Sequence, residues 1–303
     1  MEGQKDTTAG RRADLLRLAT RASVITASLL ILVKFVAWLL TGSLSVLSSL
    51  VDSLLDVAAS LINFFAVRYA LMPADEEHRF GHGKAEYLAG LAQSTFIGGS
   101  ALFLIMMSVD RLIHPQPLQK LGVGVGVMAF SIVATLVLIG IQRYVIRRTD
   151  SVAIRADSLH YLTDLLTNAA IVLALLLSGF GWSGFDPLFA LGIAGYILYS
   201  AWQIGYESVQ MLLDRELPEH IQSRILAIAR AHDQVNGIHE MRTRQGGHTK
   251  FIQLHLVMNP DMTLAEAHRV ADEVERAIRR EFRDADVIIH QDPYDDQRPE
   301  RSV

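Results

Sequence analysis

Two pairs of ionisable residues stand inside otherwise apolar stretches of this sequence. Asp52 and Asp56 form one pair, and His160 and Asp164 form the other, each with i, i+4 spacing. On a helix this spacing puts both side chains on one face, about 6 Å apart. Charged groups inside a membrane are costly, and two stacked carboxylates require protons, a basic partner or a cation. These pairs are therefore the first candidates for a metal or proton site.

The ligand types in these pairs favour a divalent transition metal. Three carboxylates and one imidazole supply four ligands of the kinds that a tetrahedral Zn²⁺ accepts. The chain has no Cys, so Cu(I), which prefers thiolates, is poorly served. Mg²⁺ requires octahedral oxygen ligation. A proton relay, or a structural polar cluster hydrogen-bonded between helices, remains the alternative.

A second candidate site lies in the hydrophilic segment that follows the first acidic pair. Asp75, His78 and His82 could ligate one metal ion, with Gly81 and Gly83 permitting the bend. A solvated loop rich in charge is the alternative interpretation.

The C-terminal part of the chain holds seven of the 11 His residues. Five potential ligands fall on different predicted elements, which suggests one or two metal ions bridged by His290 or Asp292. The five are His239, His255, His268, His290 and Asp292.

Three further charges in the apolar stretches have less specific interpretations. We expect Lys34 to extend its ammonium group toward the outer membrane surface. Arg155 and Asp157 are predicted near the inner interface, where pairing or solvation would account for them.

Charge is distributed unevenly along the 303 residues. Half of the residues are hydrophobic, and half of the 60 charged residues crowd into the part from Asp214 onward. The net charge of -4, with no long basic run outside the juxtamembrane arginines, argues against nucleic-acid binding. The absence of Cys excludes a disulfide scaffold and thiol catalysis.

The first 213 residues predict an α-helical membrane protein with six transmembrane helices. Six apolar stretches each approach the ~20 residues that a helix needs to cross a ~30 Å hydrocarbon core. They run from Ala22 to Leu40, Leu44 to Val67, Tyr87 to Val109, Leu121 to Ile141, Leu159 to Leu177 and Pro187 to Tyr206.

The distribution of basic residues predicts the orientation. Alternate loops carry 12 Lys and Arg on one side and two on the other, so both termini are expected in the cytoplasm. Segment two then enters the membrane from outside, and segment five enters it from inside. At about 1.5 Å per residue, both ionisable pairs reach roughly the same depth, near the membrane midplane.

The remaining sequence predicts a cytoplasmic α+β domain with the order αββαβ. A helix over Pro218 to His232 is followed by strands over His239 to Arg244 and Lys250 to Met258. A capping box at Thr263 opens a second helix, and a short strand over Val287 to His290 ends the domain. The predicted buried stripe of that second helix consists of Leu264, Ala267, Ala271, Val274 and Ile278.

We predict three parts: a transmembrane domain over 1–213, a metal-binding and dimerisation domain over 214–294, and a disordered tail over 295–303.

These motifs together resemble those of the cation diffusion facilitators, in particular the bacterial branch that exports zinc and ferrous iron. The resemblance covers Leu15 to Pro293. It is carried by Asp52-x3-Asp56, His160-x3-Asp164, Asp75-x2-His78-x3-His82-Gly-Lys84, the Leu213-Asp-Arg-Glu junction and the Ile289-His-Gln-Asp-Pro293 ending.

The resemblance implies a homodimer in the bacterial cytoplasmic (inner) membrane that exports divalent metal in exchange for protons. It implies a transport site, a loop site and a binuclear cytoplasmic site, formed by the three groups of candidate ligands described above. It also implies a charge interlock between Lys84 and Asp214. Because relatives that are stricter for zinc have His where this chain has Asp52, Cd²⁺ or Fe²⁺ is expected to pass as well as Zn²⁺.

The leading hypothesis is therefore a proton-coupled antiporter, not an enzyme, with Zn²⁺ both transported and regulatory and no organic cofactor. Loading metal onto deprotonated ligands would release protons, and His160 is the natural exchanging group. An intramembrane metalloenzyme is disfavoured because the chain has no His-Glu-x-x-His motif and no nucleophile elbow. A membrane metal sensor remains the second alternative, and the sequence does not rank Zn²⁺, Fe²⁺, Cd²⁺ and Mn²⁺.

Overall fold

The apolar stretches fold as six long helices. The computed structural model describes residues 5–42, 44–114, 124–179 and 186–294. The six helices are α1 (Lys5–Thr41), α2 (Leu44–Ala70), α3 (Ala85–Ile113), α4 (Gly124–Thr149), α5 (Val152–Gly179) and α6 (Asp186–Leu212).

Five of these helices are long and apolar enough to cross a membrane, counting only the described residues. The candidate spans are Gly10–Leu40, Ser49–Ala70, Ala85–Asp110, Gly126–Thr149 and Pro187–Leu212. Helix α5 is not among them, and it carries Arg155, Asp157 and Asp164 in its first half.

Helix α1 begins at Lys5, well before the predicted start at Ala22. The segment ahead of Ala22 is rich in Ala, Leu and Arg, which favour helix, and it has no proline to stop one. Leu16 and Ala19 from this extension are buried beside Val145 and Ile154. The early turns are therefore part of the packed helical unit.

Helix α5 occupies the centre of this unit, because it packs against α2, α3 and α4. Its residues from Val152 to Ile154 are fully buried, as is Tyr161. The helix that carries His160 and Asp164 is thus held by three neighbours.

The C-terminal part has the predicted αββαβ order. Its elements are α7 (Glu219–Arg230), β1 (Gly237–Gly246), β2 (Thr249–Met258), α8 (Leu264–Glu281) and β3 (Ala285–Pro293). The sheet has the order β1-β2-β3, with β1 antiparallel and β3 parallel to the central β2. Strand β3 is longer than the predicted segment from Val287 to His290.

One face of this sheet carries the hydrophobic core. Ile252, Leu254 and Leu256 are fully buried against residues of α7 and α8. The capping box at Thr263 forms as predicted, with reciprocal hydrogen bonds to Glu266. The predicted stripe of α8 is wrong at Leu264, which is 81% exposed. That residue is the first of the helix, and the first buried residue is Val270, nearly two turns later.

The chain divides into two compact units. One contains residues 8–72 and 85–209. Among the described residues, the other combines residues 5–7, the loop between α2 and α3 (residues 73–84) and residues 210–294. Judged by its contacts, the loop that carries Asp75, His78 and His82 is therefore part of the same unit as the αββαβ domain. The predicted tail over 295–303 lies outside the described residues.

Candidate metal centres

The first cluster joins α2 and α5. Asp56, His160 and Asp164 each offer a ligand atom, and these atoms lie within 4.8 Å of one another. The His160 Nε2 atom is 3.0 Å from Asp56 Oδ1. Only 7% of His160 is exposed, and the Phe96 ring from α3 stands edge-on to its imidazole. Two carboxylates and one imidazole can hold a zinc-type cation with a fourth position open.

The fourth predicted ligand, Asp52, lies outside this group of three. Its side chain is exposed, one helical turn before Asp56 on α2. It is close enough to act electrostatically on Asp164 and on Lys34. The structure thus brings three of the four predicted residues together, and Asp52 would have to move, or act through water, to complete a tetrahedral site.

A buried polar network lies beside this cluster. Asp157, with no exposed surface, accepts hydrogen bonds from Ser23 of α1, Gln93 of α3 and Gln142 of α4. The expectation of pairing or solvation near the interface is therefore wrong for Asp157, because three helices enclose it. It holds for Arg155, which pairs with Glu207.

The sequence contained a signal for this network. Asp157 precedes His160 by three residues and Asp164 by seven, so all three lie on one face of α5. That face points into the helical unit, which makes each of its polar residues a candidate for function.

The second cluster is formed by the α2–α3 loop. Asp75, His78 and His82 lie within 4.8 Å of one another by their ligand atoms. Asp75 Oδ1 is 3.4 Å from His78 Nδ1, and Asp75 Oδ2 is 3.3 Å from His82 Nε2. The other ring nitrogen of His82 lies 3.1 Å from the Pro73 carbonyl oxygen, which fixes the orientation of the ring.

The backbone of this loop prepares its carboxylate. The N–H groups of His78 and Glu77 both donate to Asp75 Oδ1. These bonds, that of His78 foremost, hold the pKa of Asp75 below its ordinary value. Gly81 adopts a φ of 78°, which favours glycine over residues that carry a Cβ.

Aromatic and glycine contacts fix the loop against the sheet. The Arg244 guanidinium lies over the rings of Phe80 and Phe251, 4.7 and 4.8 Å from their centroids. A Cβ on Gly83 would come within 2.6 Å of the Gly246 carbonyl oxygen. Glycine at this position therefore permits the close backbone approach.

The predicted interlock residues meet in the same unit. Lys84 Nζ is 2.9 Å from Asp214 Oδ1, and Arg244 reaches the same carboxylate. Burial alone would raise the pKa of Asp214, but these two cations hold it below its ordinary value.

The third cluster crosses the open face of the sheet. His239 pairs with His255 across β1 and β2, and His255 pairs with His290 across β2 and β3. Adjacent imidazole centroids are 5.0 and 4.6 Å apart. The three rings form a row opposite the hydrophobic core.

An irregularity in β1 produces this row. Alternation counted back from the buried Thr243 would put His239 on the core face. The register shifts between His239 and Arg242, and Glu240 there has a φ of 46°. The extra residue turns His239 to the face of His255, as β-bulges near functional sites often do.

Asp292 binds this row together. Its carboxylate lies 3.1 Å from His239 Nε2, 2.8 Å from His255 Nδ1 and 3.3 Å from His290 Nε2. Burial alone would raise the pKa of Asp292, but the His255 hydrogen bond and the surrounding imidazoles hold it below its ordinary value.

Two members of the predicted cytoplasmic set lie outside the tight group. The ligand atoms of His239, His255 and Asp292 are mutually within 4.8 Å, and His290 adjoins them through Asp292. His268 is exposed on α8 and faces Asp272, 3.8 Å away.

Sequence reasoning missed one acidic neighbour of this group. Glu240 Oε2 lies 3.9 Å from His255 Nε2. Only the bulge brings the Glu240 side chain to this place.

Comparisons with known proteins cover both units. Residues 20–213 match the model of the cation efflux transmembrane domain, and residues 217–294 match that of the cytoplasmic domain of cation efflux proteins. The chain is 55% identical over 280 residues to the cation-efflux pump FieF of Klebsiella pneumoniae, covering 91% of this chain and 93% of that protein. The same values hold for FieF of Salmonella paratyphi A.

Solved structures match in the C-terminal part. A zinc form of CzrB, described as a putative zinc transporter, is 32% identical and covers 28% of this chain and 99% of its own, with a TM-score of 0.27. A nickel form of a MamM CTD variant is 22% identical and covers 26% of this chain and 100% of its own, with a TM-score of 0.25.

Proposed function

This chain belongs to the cation efflux family, and from that premise we propose that it exports Zn²⁺ from the cytoplasm in exchange for protons. The resemblance inferred from the motifs is thereby confirmed at the level of the family, whose members are membrane transporters and not enzymes. Fe²⁺ and Cd²⁺ are proposed as further substrates.

One observation carries the proposal: ligand atoms from two helices converge within 4.8 Å in the membrane-spanning part. The groups are Asp56, His160 and Asp164, and we propose Asp52 as the fourth ligand. Ionisable groups inside a membrane-spanning unit are costly unless they are paired, protonated or bound to a cation, so their convergence supports a cation pathway.

The choice of cation follows from the donor atoms. Imidazole with carboxylates suits Zn²⁺ and Fe²⁺, whereas a soft monovalent copper ion would favour sulfur ligands. The FieF relatives are named for cation efflux without a stated metal.

Proton exchange follows from the same donors. A metal ion binds the deprotonated ligand, so loading the site releases protons and reprotonation expels the metal. An imidazole, with an ordinary pKa of about 6.5, can make this exchange near neutral pH, which supports His160 as the exchanging group.

The sheet cluster receives a regulatory role in this proposal, and the loop cluster is proposed as a further metal site. Cytoplasmic Zn²⁺ would bind Asp75, His78 and His82, and also the His239–His255–Asp292 group with His290 and His268. The open histidine face of the sheet is proposed as the surface that pairs two subunits in a homodimer. The membrane is proposed to be the bacterial inner membrane, with both termini in the cytoplasm.

A flux assay tests the proposal. Full-length protein in liposomes is given Zn²⁺ on one side, with a zinc dye and a pH dye inside. In the parent, we expect zinc to enter the liposomes while protons leave, so the internal pH rises. Both signals should be lost in His160→Ala and Asp164→Ala. The matched control is His114→Ala, because His114 and Asp110 form a similar i, i+4 pair that is exposed near the end of α3.

Two results would contradict the proposal. Parental zinc flux in His160→Ala and Asp164→Ala would exclude these residues as ligands. Zinc binding by the parent without any flux would favour the metal sensor.

A further inference from the structure

Lys34 of α1 is held against α2. Its ammonium donates to the Ser49 carbonyl oxygen at 3.1 Å and to Ser53 Oγ at 2.6 Å. Ser53 has no exposed surface. The expectation that Lys34 extends toward the membrane surface is therefore wrong, because the head group points to the neighbouring helix.

Lys34 lies near the proposed transport site, called here the transport cluster, which consists of Asp52, Asp56, His160 and Asp164. Asp56, Asp164 and Asp52 all act electrostatically on its ammonium. Within the part of the chain that the structure describes, Lys34 forms no direct ion pair with any of them. The serines thus hold a positive charge beside the carboxylates and leave the carboxylate oxygens available to a cation.

The charges around this point balance for one kind of substrate. Metal binding requires deprotonated ligands, so in the occupied site His160 is neutral and the three carboxylates with one ammonium carry two negative charges. One divalent cation neutralises these. Without the ammonium, the occupied cluster would keep a negative charge in a medium of low dielectric, where charges interact strongly. Such a cluster would hold its metal more tightly and release it more slowly.

We propose that Lys34 is a fixed positive charge that matches the transport cluster to a divalent cation and weakens binding enough for release. Lys34 is then a positioning residue that acts through the field at the ligands without touching the metal. The inference rests on the proposed transport function.

Flux kinetics of full-length protein in liposomes test this inference. Lys34→Gln removes the charge and keeps a hydrogen-bond donor, while Lys34→Arg keeps both. We expect Lys34→Gln to lower the KM for Zn²⁺ and the maximal rate, each about tenfold, a typical strength of coupling between sites. Lys34→Arg is expected to stay near the parent in both parameters.

Ser53→Ala separates charge from tethering. It removes one acceptor of the ammonium, but the Ser49 carbonyl oxygen still holds the charge in place, so the KM and the maximal rate should stay near those of the parent. If Ser53→Ala behaves like Lys34→Gln, the residue is only a tether between helices, and the inference is wrong. An unchanged or raised KM in Lys34→Gln would also overturn it. Should Lys34→Gln not fold, judged by size-exclusion chromatography in detergent, Lys34→Met takes its place with the same expected result.

The failure of this inference differs from a failure of the proposed function. Asp56→Asn is measured in parallel. Loss of flux in Asp56→Asn with parental kinetics in Lys34→Gln would refute only the role of Lys34, whereas parental flux in Asp56→Asn would refute the transport site itself.

Discussion

Two clusters use similar ligands in opposite surroundings: the helical cluster of Asp56, His160 and Asp164, and the sheet cluster of His239, His255, His290 and Asp292. In the helical cluster, two carboxylates and His160 are enclosed by helices, and His160 is only 7% exposed. In the sheet cluster, imidazoles outnumber carboxylates, and the side chain of His290 is 64% exposed. One cluster is built by helix spacing, the other by strand register and a bulge.

This difference suggests a division of tasks. In a buried, acid-rich cluster the carboxylates repel one another, so the cluster favours binding of a cation or of protons. An open row of imidazoles around one carboxylate can bind metal without a large desolvation cost. The first arrangement suits a site that must load and empty, and the second suits one that reports cytoplasmic metal.

The largest effect is expected from removing a charge in the helical cluster. Asp56→Asn removes a ligand and the partner of His160, so zinc flux should fall by about 100-fold or more, the loss expected when metal affinity or exchange fails at a ligand. Zinc binding to the sheet cluster should persist in equilibrium dialysis. Equal loss at both places would mean that the two clusters are not independent.

The second prediction concerns the buried acid behind the helical cluster. Asp157→Leu removes the acceptor shared by Ser23, Gln93 and Gln142. Ser23 still donates to the Ala19 carbonyl oxygen and Gln142 to Ser23 Oγ, so the cost of about 1–3 kcal/mol for an unpaired buried group falls mainly on Gln93. We expect a large drop in the thermal unfolding midpoint of detergent-purified protein.

Two variants control this measurement. Asp157→Asn retains an acceptor oxygen and should lose less, whereas Asp292→Leu, at a partly exposed position, should change the midpoint least. A drop for Asp292→Leu as large as that for Asp157→Leu would contradict the contrast between enclosed and open clusters.

The third prediction tests the sheet cluster as a regulator. His255 is the central imidazole of the row and contacts Asp292, so His255→Ala should abolish tight zinc binding there. Maximal zinc flux should fall by only about threefold, because a regulator shifts populations without supplying a transport ligand. Flux measured against cytoplasmic zinc would show a higher half-saturating concentration. Complete loss of flux would give the sheet cluster a direct part in transport.

The smallest expected effect is the acid dependence of the sheet cluster. Because the folded pKa of Asp292 lies below the ordinary 3.8, its ionised form stabilises the metal-free fold. This contribution is present above pH 3.8 and is lost as the pH falls through the lower folded value.

The unfolding midpoint of Asp292→Asn in the presence of a chelator checks this sign. The variant should be less stable than the parent at neutral pH by about 1 kcal/mol or less, since solvent screens the site. The difference should shrink below the ordinary pKa of an aspartate. A difference that grows toward low pH would mean that the carboxylate is stabilised in its protonated form.

Helix-borne features could be predicted well from the sequence. Asp56, His160 and Asp164 come together, as their spacing and the predicted orientation of segments two and five indicated. The αββαβ order and the Thr263 capping box also formed as predicted, because both depend on local patterns. The predicted burial of Leu264 was wrong because helical periodicity identifies the apolar face of a helix but not how much of its length is packed against the rest of the domain.

The predicted surroundings of Lys34 and Asp157 were wrong for a related reason. Each was assigned to an interface from its position along one helix. The partners that fix them, Ser53 for Lys34 and Gln93 with Gln142 for Asp157, lie on other helices, between 15 and 64 residues away in the sequence.

The helical faces and the separation of an apolar part from a charged one could be predicted from the chain alone, because they depend on residue types and on periods of 3.6 or 2 residues along one segment. The packed structure was needed to show that Asp52 stands apart, that a bulge turns His239 to its partners, and that α2 holds the ammonium of Lys34. Those outcomes depend on register and on packing between distant segments. A shift of one residue in a strand reverses a side chain, and periodicity alone does not encode that shift.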